Sequence, residues 1–314
     1  MKKLLALPLT IKTVLTLALT LSVSGLSEAQ QNRWGNRAEF TGLYAFGDSL
    51  TDTGNLPPDL QLPPPYFDGR RSNGILWVEY LGFALNIPPR KWNNFAYGGA
   101  SAREVEDSPI PGLQEQLDIF ESGLVRKKRA DKNALYVVWA GSNDFLDYLA
   151  NPSQVGIIPA ALESTISAVN RLHDLGARKI MVVNLPELGL TPLGVATQAF
   201  YDSIPLDINI SSLVAEYNSA LDSSLDQLGF QTIRVDSAGV LQDAVESPRR
   251  YWLRNVTDPY LPFNFPAELP TGTPKGYLFW DIVHPTTHGH FIIAIEAWKT
   301  IQRSKIRRYI VRRR

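Results

Sequence analysis

The chain has 314 residues, with 31 Lys and Arg against 31 Asp and Glu, and no cysteine. A cysteine-free chain holds no disulfide framework, no thiol nucleophile and no cysteine-ligated metal. The neutral total hides a partition: residues 30–302 carry 21 basic and 30 acidic side chains, a net of −9, whereas residues 303–314 carry seven basic and no acidic ones. An acidic body of this kind excludes a nucleic-acid-binding protein.

In chain order, Lys2 and Lys3 open a basic start, an apolar run covers Val14–Val23, and Ser27-Glu28-Ala29 places small residues where a signal peptidase reads them. Residues 1–29 are therefore expected to be a secretory signal. The run is short for a bilayer span, which weighs against an uncleaved anchor helix. An exported protein is expected, periplasmic, secreted or at the cell surface. Residues 30–302 suffice for one large domain with its own core.

Leu43–Phe46 reads as a buried strand, Ile75–Leu85 as a helix, Asn93–Tyr97 as a short second strand, and Leu113–Leu124 as a helix with Leu113, Leu117 and Phe120 in register. Leu135–Ala140 is the clearest strand and ends directly in Gly141-Ser142-Asn143-Asp144. The spacing then predicts a helix over Pro159–Leu175 closed by Gly176, a strand over Lys179–Leu185, a helix over Ser211–Leu228, a last strand over Gln231–Val235 and a last helix over Pro285–Ile301. Strands separated by helices imply a mostly parallel α/β sheet covered on both faces. Two segments read as loops: the proline-rich Pro57–Arg70, and Arg249–Tyr277, whose Tyr251, Trp252, Tyr260, Phe263 and Phe265 serve either as packing beneath the loop or as an acyl-pocket rim. The basic run 303–314 is either a solvated, frayed terminus or a contact for an anionic surface.

In such a sheet, sites form where the carboxyl ends of strands meet. Ser49 follows the first strand, Gly98-Gly99 the second and Asn143 the third, and Asp281-Ile282-Val283-His284-Pro285 stands just before the last helix. Acyl transfer through serine needs a nucleophile, a base, an acid that orients the base, and donors for the tetrahedral oxyanion. Ser49 can attack, His284 can take its proton, and Asp281 can fix the imidazole. The glycine pair lets a backbone N–H approach the substrate, and the Asn143 amide can point at the same oxygen. Singly, each has a plainer role: Ser49 or Asn143 as a helix cap, the glycines as a turn, His284 as a loop histidine. Their joint order at strand ends favours a site.

Gly47-Asp48-Ser49-Leu50, Asn94-Phe95-Ala96-Tyr97-Gly98-Gly99-Ala100, Gly141-Ser142-Asn143-Asp144 and Asp281-Ile282-Val283-His284-Pro285 resemble the four signature blocks of the GDSL-type lipases and esterases of the SGNH hydrolase superfamily. The extended first block, through Thr51-Asp52-Thr53-Gly54-Asn55, is similar to the branch of plant GDSL lipases and secreted bacterial phospholipase/haemolysin-like esterases. The resemblance implies a flavodoxin-like three-layer α/β/α sandwich and a catalytic set of Ser49, Asp281 and His284. It also implies an oxyanion hole from Ser49 N–H, a glycine N–H and Asn143, in which Gly99 fits the register better than Gly98. Asp48 and Asp52 also match the first block and read as structural or orienting neighbours, not as catalysts. The expected substrate is a small-molecule or lipid ester. Acyl transfer to an alcohol uses the same residues, and a silent lipid- or glycan-binding module is the reading from another class. No cofactor is expected. A metal site of His284, His288 and His290 lacks the glutamate of an HExxH motif. His173 reads as a helix histidine, and Asn209 and Asn255 begin glycosylation sequons.

Overall fold

The computed structural model describes residues 40–124, 129–266 and 272–311. The expected secretory signal, residues 1–29, lies outside them. Five parallel strands form the central sheet: β1 (Leu43–Gly47), β2 (Trp92–Asn94), β3 (Leu135–Trp139), β4 (Ile180–Val183) and β5 (Ile233–Val235), in the order β2-β1-β3-β4-β5. Between and after them run α1 (Trp77–Ala84), α2 (Leu113–Ser122), α3 (Ser142–Ala150), α4 (Ile157–Leu175), α5 (Pro192–Asp202), α6 (Ile210–Asp226), α7 (Ser237–Glu246) and α8 (Thr287–Val311). A small parallel pair, β6 (Asn255–Pro259) with β7 (Tyr277–Phe279), lies outside the main sheet.

The central strands β1, β3 and β4 are apolar on both faces, as a sheet covered by two helical layers requires. In β3 all five side chains are buried and divide by alternation. Tyr136 and Val138 join Phe46, Ile180 and Val182 against α2, α4 and α6. Leu135, Val137 and Trp139 join Leu43, Ala45, Met181 and Val183 against α1 and α8. The three-layer sandwich expected from the sequence is the observed architecture. A satellite core of Ala244, Leu253, Leu278, Phe279 and Ile292 fills the space among α7, α8 and the β6–β7 pair.

The expected strands are all present, within a few residues of their boundaries. β2 is shorter than expected because the Asn94 side chain takes the Ala96 N–H, 2.9 Å, and bends the chain. The bonds Phe95 N–H to Ala45 O and Tyr97 N–H to Gly47 O nevertheless hold it beside β1. Helices α3, α5 and α7 have no counterpart among the expected elements; β6 arises within the segment read as a loop, and β7 starts at its last residue, Tyr277. The last helix passes its expected end at Ile301 and reaches Val311. Neither glycine nor proline follows to stop it, so the basic run begins on a helix, with Arg303 paired to Glu296 at 2.6 Å.

Candidate active site

The end of β1 is shaped by its last residue. A Cβ on Gly47 would stand 2.0 Å from the Trp139 carbonyl oxygen, so only glycine lets β1 and β3 approach this closely at their carboxyl ends. The Gly47 peptide is read by the fully buried Gln116 side chain: Gly47 N–H donates to Oε1 at 2.8 Å, and Nε2 donates to Gly47 O at 2.9 Å. The chain then enters a single turn, Thr51 and Asp52 N–H both bonding to Asp48 O, with Ser49 at its start and only 8% exposed.

That turn is tied to the glycine pair. Asp52 Oδ1 accepts from Gly54 and Asn55 N–H at 2.8 and 2.7 Å, and its Oδ2 accepts from Gly98 N–H at 2.7 Å. Asn55 Nδ2 donates to Asn94 O and Ala96 O, and Asn94 Nδ2 donates to Thr51 O. Gly99 follows with φ +85°, a left-handed conformation suited to glycine, and its N–H has no acceptor among the described residues. Beyond β3, Asn143 Nδ2 donates to Ala100 O at 2.8 Å, and the buried Asp144 accepts from Ala102 and Arg103 N–H at 2.7 and 3.2 Å.

From the far end of the chain, His284 Nε2 lies 2.8 Å from Ser49 Oγ. Its Nδ1 faces the Asp281 carboxylate at 2.9 Å to Oδ1 and 2.8 Å to Oδ2. With Nδ1–H donating to the carboxylate, Nε2 is left to accept the serine hydroxyl. Asp281 Oδ1 also accepts from Val283 and His284 N–H, and Oδ2 from the Tyr66 hydroxyl at 2.9 Å. Burial opposes ionisation of Asp281, but His284 and these backbone donors outweigh it and hold the carboxyl down at about 2. Burial, then the Asp281 charge, push the Tyr66 phenol well up, so it stays a donor.

Asp48 behaves oppositely. Fully buried, with Oδ1 on Leu50 N–H and Oδ2 without a partner, its carboxyl is pushed up to about 7 by burial, against the Leu50 N–H and the nearby His284.

All five expected site residues, Ser49, Gly99, Asn143, Asp281 and His284, thus converge at the carboxyl edge of the sheet. Of the two glycines, Gly98 has its N–H engaged by Asp52. His290 is buried with neither ring nitrogen bonded and held down at about 3 by burial and then by His284. Among the described residues no group of three or more His, Cys, Asp or Glu side chains is set to hold a metal.

Sequence reasoning missed Tyr66, whose partner is 215 positions away, and Gln116, which looks like any polar helix residue. It also missed the wall of the adjoining cavity. About 800 Å³ of empty space, partly open to solvent, runs from Ser49, Asn143 and His284 between Leu146, Leu188, Val240, Leu241, Leu278 and Ile292. Val240, Leu241 and Ala244 have the i, i+1, i+4 spacing of a helix face, a signal the sequence did contain.

A hydroxyl, an imidazole and a carboxylate in hydrogen-bonded series, beside unpaired donors and an apolar cavity, form the arrangement of a serine acyl hydrolase. Residues 43–297 match the sequence profile of the GDSL-like lipase/acylhydrolase family, and the chain belongs to that family. Its relatives include the thermolabile hemolysin of Vibrio parahaemolyticus, 28% identical over 287 residues, covering 83% of this chain and 65% of that protein. The phosphatidylcholine-sterol acyltransferase of Aeromonas hydrophila is 33% identical over 164 residues, covering 50% of this chain and 48% of that one. The chain thus spans about half to two thirds of the length of these relatives. Among solved structures, an acetylxylan esterase mutant from Geobacillus stearothermophilus superposes with a TM-score of 0.49 at 15% identity, over 83% of this chain and 94% of that one.

Two outcomes follow from the carboxylates. In Tyr66→Phe the Asp281 carboxyl loses one of its donors, so its pKa rises by about half a unit or more; a side-chain carbon NMR titration reads this, and an unmoved titration would free Asp281 of any dependence on Tyr66. For Asp48 the folded-state pKa of about 7 lies above the ordinary value near 4. Its contribution to stability is therefore complete below about pH 4 and is lost as pH rises through about 7. Asp48→Asn should match the parent in urea unfolding at pH 4 and exceed it by ~1 kcal/mol or more at pH 8. An advantage that does not grow with pH would show that the carboxyl ionises without penalty.

Proposed function

We propose that this chain hydrolyses carboxylic esters through an acyl-enzyme on Ser49. The observation that carries the reading is the unbroken series Ser49 Oγ–His284–Asp281, with both links at 2.8 Å. Ser49 Oγ attacks the ester carbonyl carbon while His284 Nε2 takes its proton, and Asp281 stabilises the imidazolium that forms. The tetrahedral oxygen is received by Ser49 N–H, Gly99 N–H and the Asn143 amide. Engagement of Gly98 N–H by Asp52 supports Gly99 in this role, and the bond from Asn143 Nδ2 to Ala100 O leaves that nitrogen a second hydrogen for the oxyanion. His284 then protonates the departing alcohol, and a water deprotonated by the same nitrogen releases the acid.

The apolar wall from Leu146 to Ile292 supports an acyl group longer than acetyl, because burying methylenes there contributes about 0.8 kcal/mol each. The basic and apolar pattern of residues 1–29 supports export. Acyl transfer to an alcohol acceptor runs through the same intermediate, and products formed with added alcohol distinguish it from hydrolysis.

Purified protein should hydrolyse p-nitrophenyl esters, with Ser49→Ala and His284→Ala each lowering turnover by about a thousandfold or more. Asn143→Ala should cost about a hundredfold in kcat with little change in KM. Near-native turnover in Ser49→Ala would overturn the assignment, and an unchanged kcat in Asn143→Ala would remove that amide from the oxyanion hole.

A further inference from the structure

Helix α5 presents its apolar side to solvent, the reverse of an ordinary surface helix. Its buried residues are Pro192, Gly194 and Tyr201, and it packs on the 188–190 turn and on β6. Val195, Ala196, Ala199 and Phe200 are all exposed, and at 100° per residue they occupy one sector about 140° wide. Val195 is 56% and Phe200 59% exposed, and Ile204 and Leu206 extend the patch at 36% and 42%. From Leu188 to Tyr201 there is no charged side chain.

The patch begins at the cavity. Leu188 and Thr191 belong to the cavity wall, and Thr191 is also the N-cap of α5, its hydroxyl accepting from Gly194 N–H at 3.0 Å. Leu193 N–H donates to Ile282 O at 2.8 Å, inside the Asp281–His284 loop. The first turn of α5 is thereby fixed to the loop that carries the imidazole.

We propose that α5 and residues 202–206 form a docking surface for an uncharged or zwitterionic lipid surface, which seats the mouth of the cavity on the lipid. The proposal rests on the ester-hydrolase reading and deepens it, by naming an aggregated lipid ester as the substrate's form. Two observations select this occupant. First, Leu188 and Thr191, at the foot of α5, are walls of the apolar cavity that reaches Ser49, so a lipid surface seated on α5 lies beside the space that would take an acyl chain. Second, the charges flanking the patch are acidic: Glu187, Asp202 and Asp207. An anionic surface would be repelled here. The chain's cationic run starts only at Arg303, ~24 Å along α8 from Thr287 at 1.5 Å per residue. A helix of this kind lies in the plane of the interface with its apolar side immersed by ~5–10 Å.

The test is Val195→Ser/Phe200→Ser in the full chain, beside the parent. Three readouts are taken: turnover of dissolved p-nitrophenyl acetate, turnover of an emulsified long-chain ester, and co-sedimentation with phosphatidylcholine vesicles. The expected result is dissolved-ester turnover within twofold of the parent, with vesicle binding and emulsion turnover both reduced about tenfold or more. Parent-like vesicle binding by the variant, or no binding by the parent, would overturn the proposal. So would binding that requires phosphatidylglycerol and disappears in high salt, since that places contact at the basic end of α8. A parent that is dimeric by sedimentation velocity and a variant that is monomeric would also overturn it, making the patch an interface between two copies. If the parent binds phosphatidylcholine through these residues yet hydrolyses no ester, docking stands and the hydrolase reading fails.

Discussion

The site depends on one contact between residues 235 positions apart, Ser49 with His284. Nothing local brings them together; the clasp between the 66–80 segment and the start of α8 does. Ser72 Oγ donates to Pro285 O, Asn73 Oδ1 accepts from Thr287 N–H, and Thr287 Oγ1 donates to Ile75 O. Beneath the clasp the Arg70 fork meets the Glu79 carboxylate at 2.8 and 2.9 Å, with side chains only 8% and 5% exposed. Removing one partner of so buried a pair leaves a bare charge in the interior, at a cost of about 3–5 kcal/mol. Glu79 also accepts from Leu76 N–H at the start of α1. Helix position, loop position and imidazole position therefore share one ion pair.

Polar side chains also replace backbone pairing where the strands end. The Gln116 amide meets the Gly47 peptide as a neighbouring strand would, and Asp52, Asn55 and Asn94 hold the first turn against the second block. These side chains give the Gly47, Gly98, Ala96 and Thr51 backbone groups their partners, which stiffens the edge. The Ser49 and Gly99 N–H groups, by contrast, face no protein acceptor among the described residues.

Much of this was legible in the chain. Buried parallel strands show as unbroken apolar runs, and β1, β3 and β4 were found because hydrophobicity on both faces leaves no competing period. The candidate site stood out because serine, glycine and asparagine follow strand ends in order and the histidine stands just before the last helix. Helices α3, α5 and α7 escaped for separate reasons. The first begins inside a motif that reads as polar. The second has no charged side chain from Leu188 to Tyr201, so its apolar sector stands out little against the rest of the helix. The third is short. Tyr66 and Gln116 escaped because their roles exist only through tertiary contact, and no spacing marks them. The extension of α8 past Ile301 escaped because a charged run resembles a solvated terminus.

The close approach at Gly47 couples parts of the active edge that are separate in sequence. Its backbone leads to Ser49, while the Trp139 oxygen against which it packs stands at the end of β3, directly before Gly141 and Asn143. A shift of either strand end moves Ser49 and Asn143 relative to each other along a single mechanical coordinate. A side chain at position 47 would force the two strand ends apart, so this one short contact sets the spacing of Ser49 and Asn143.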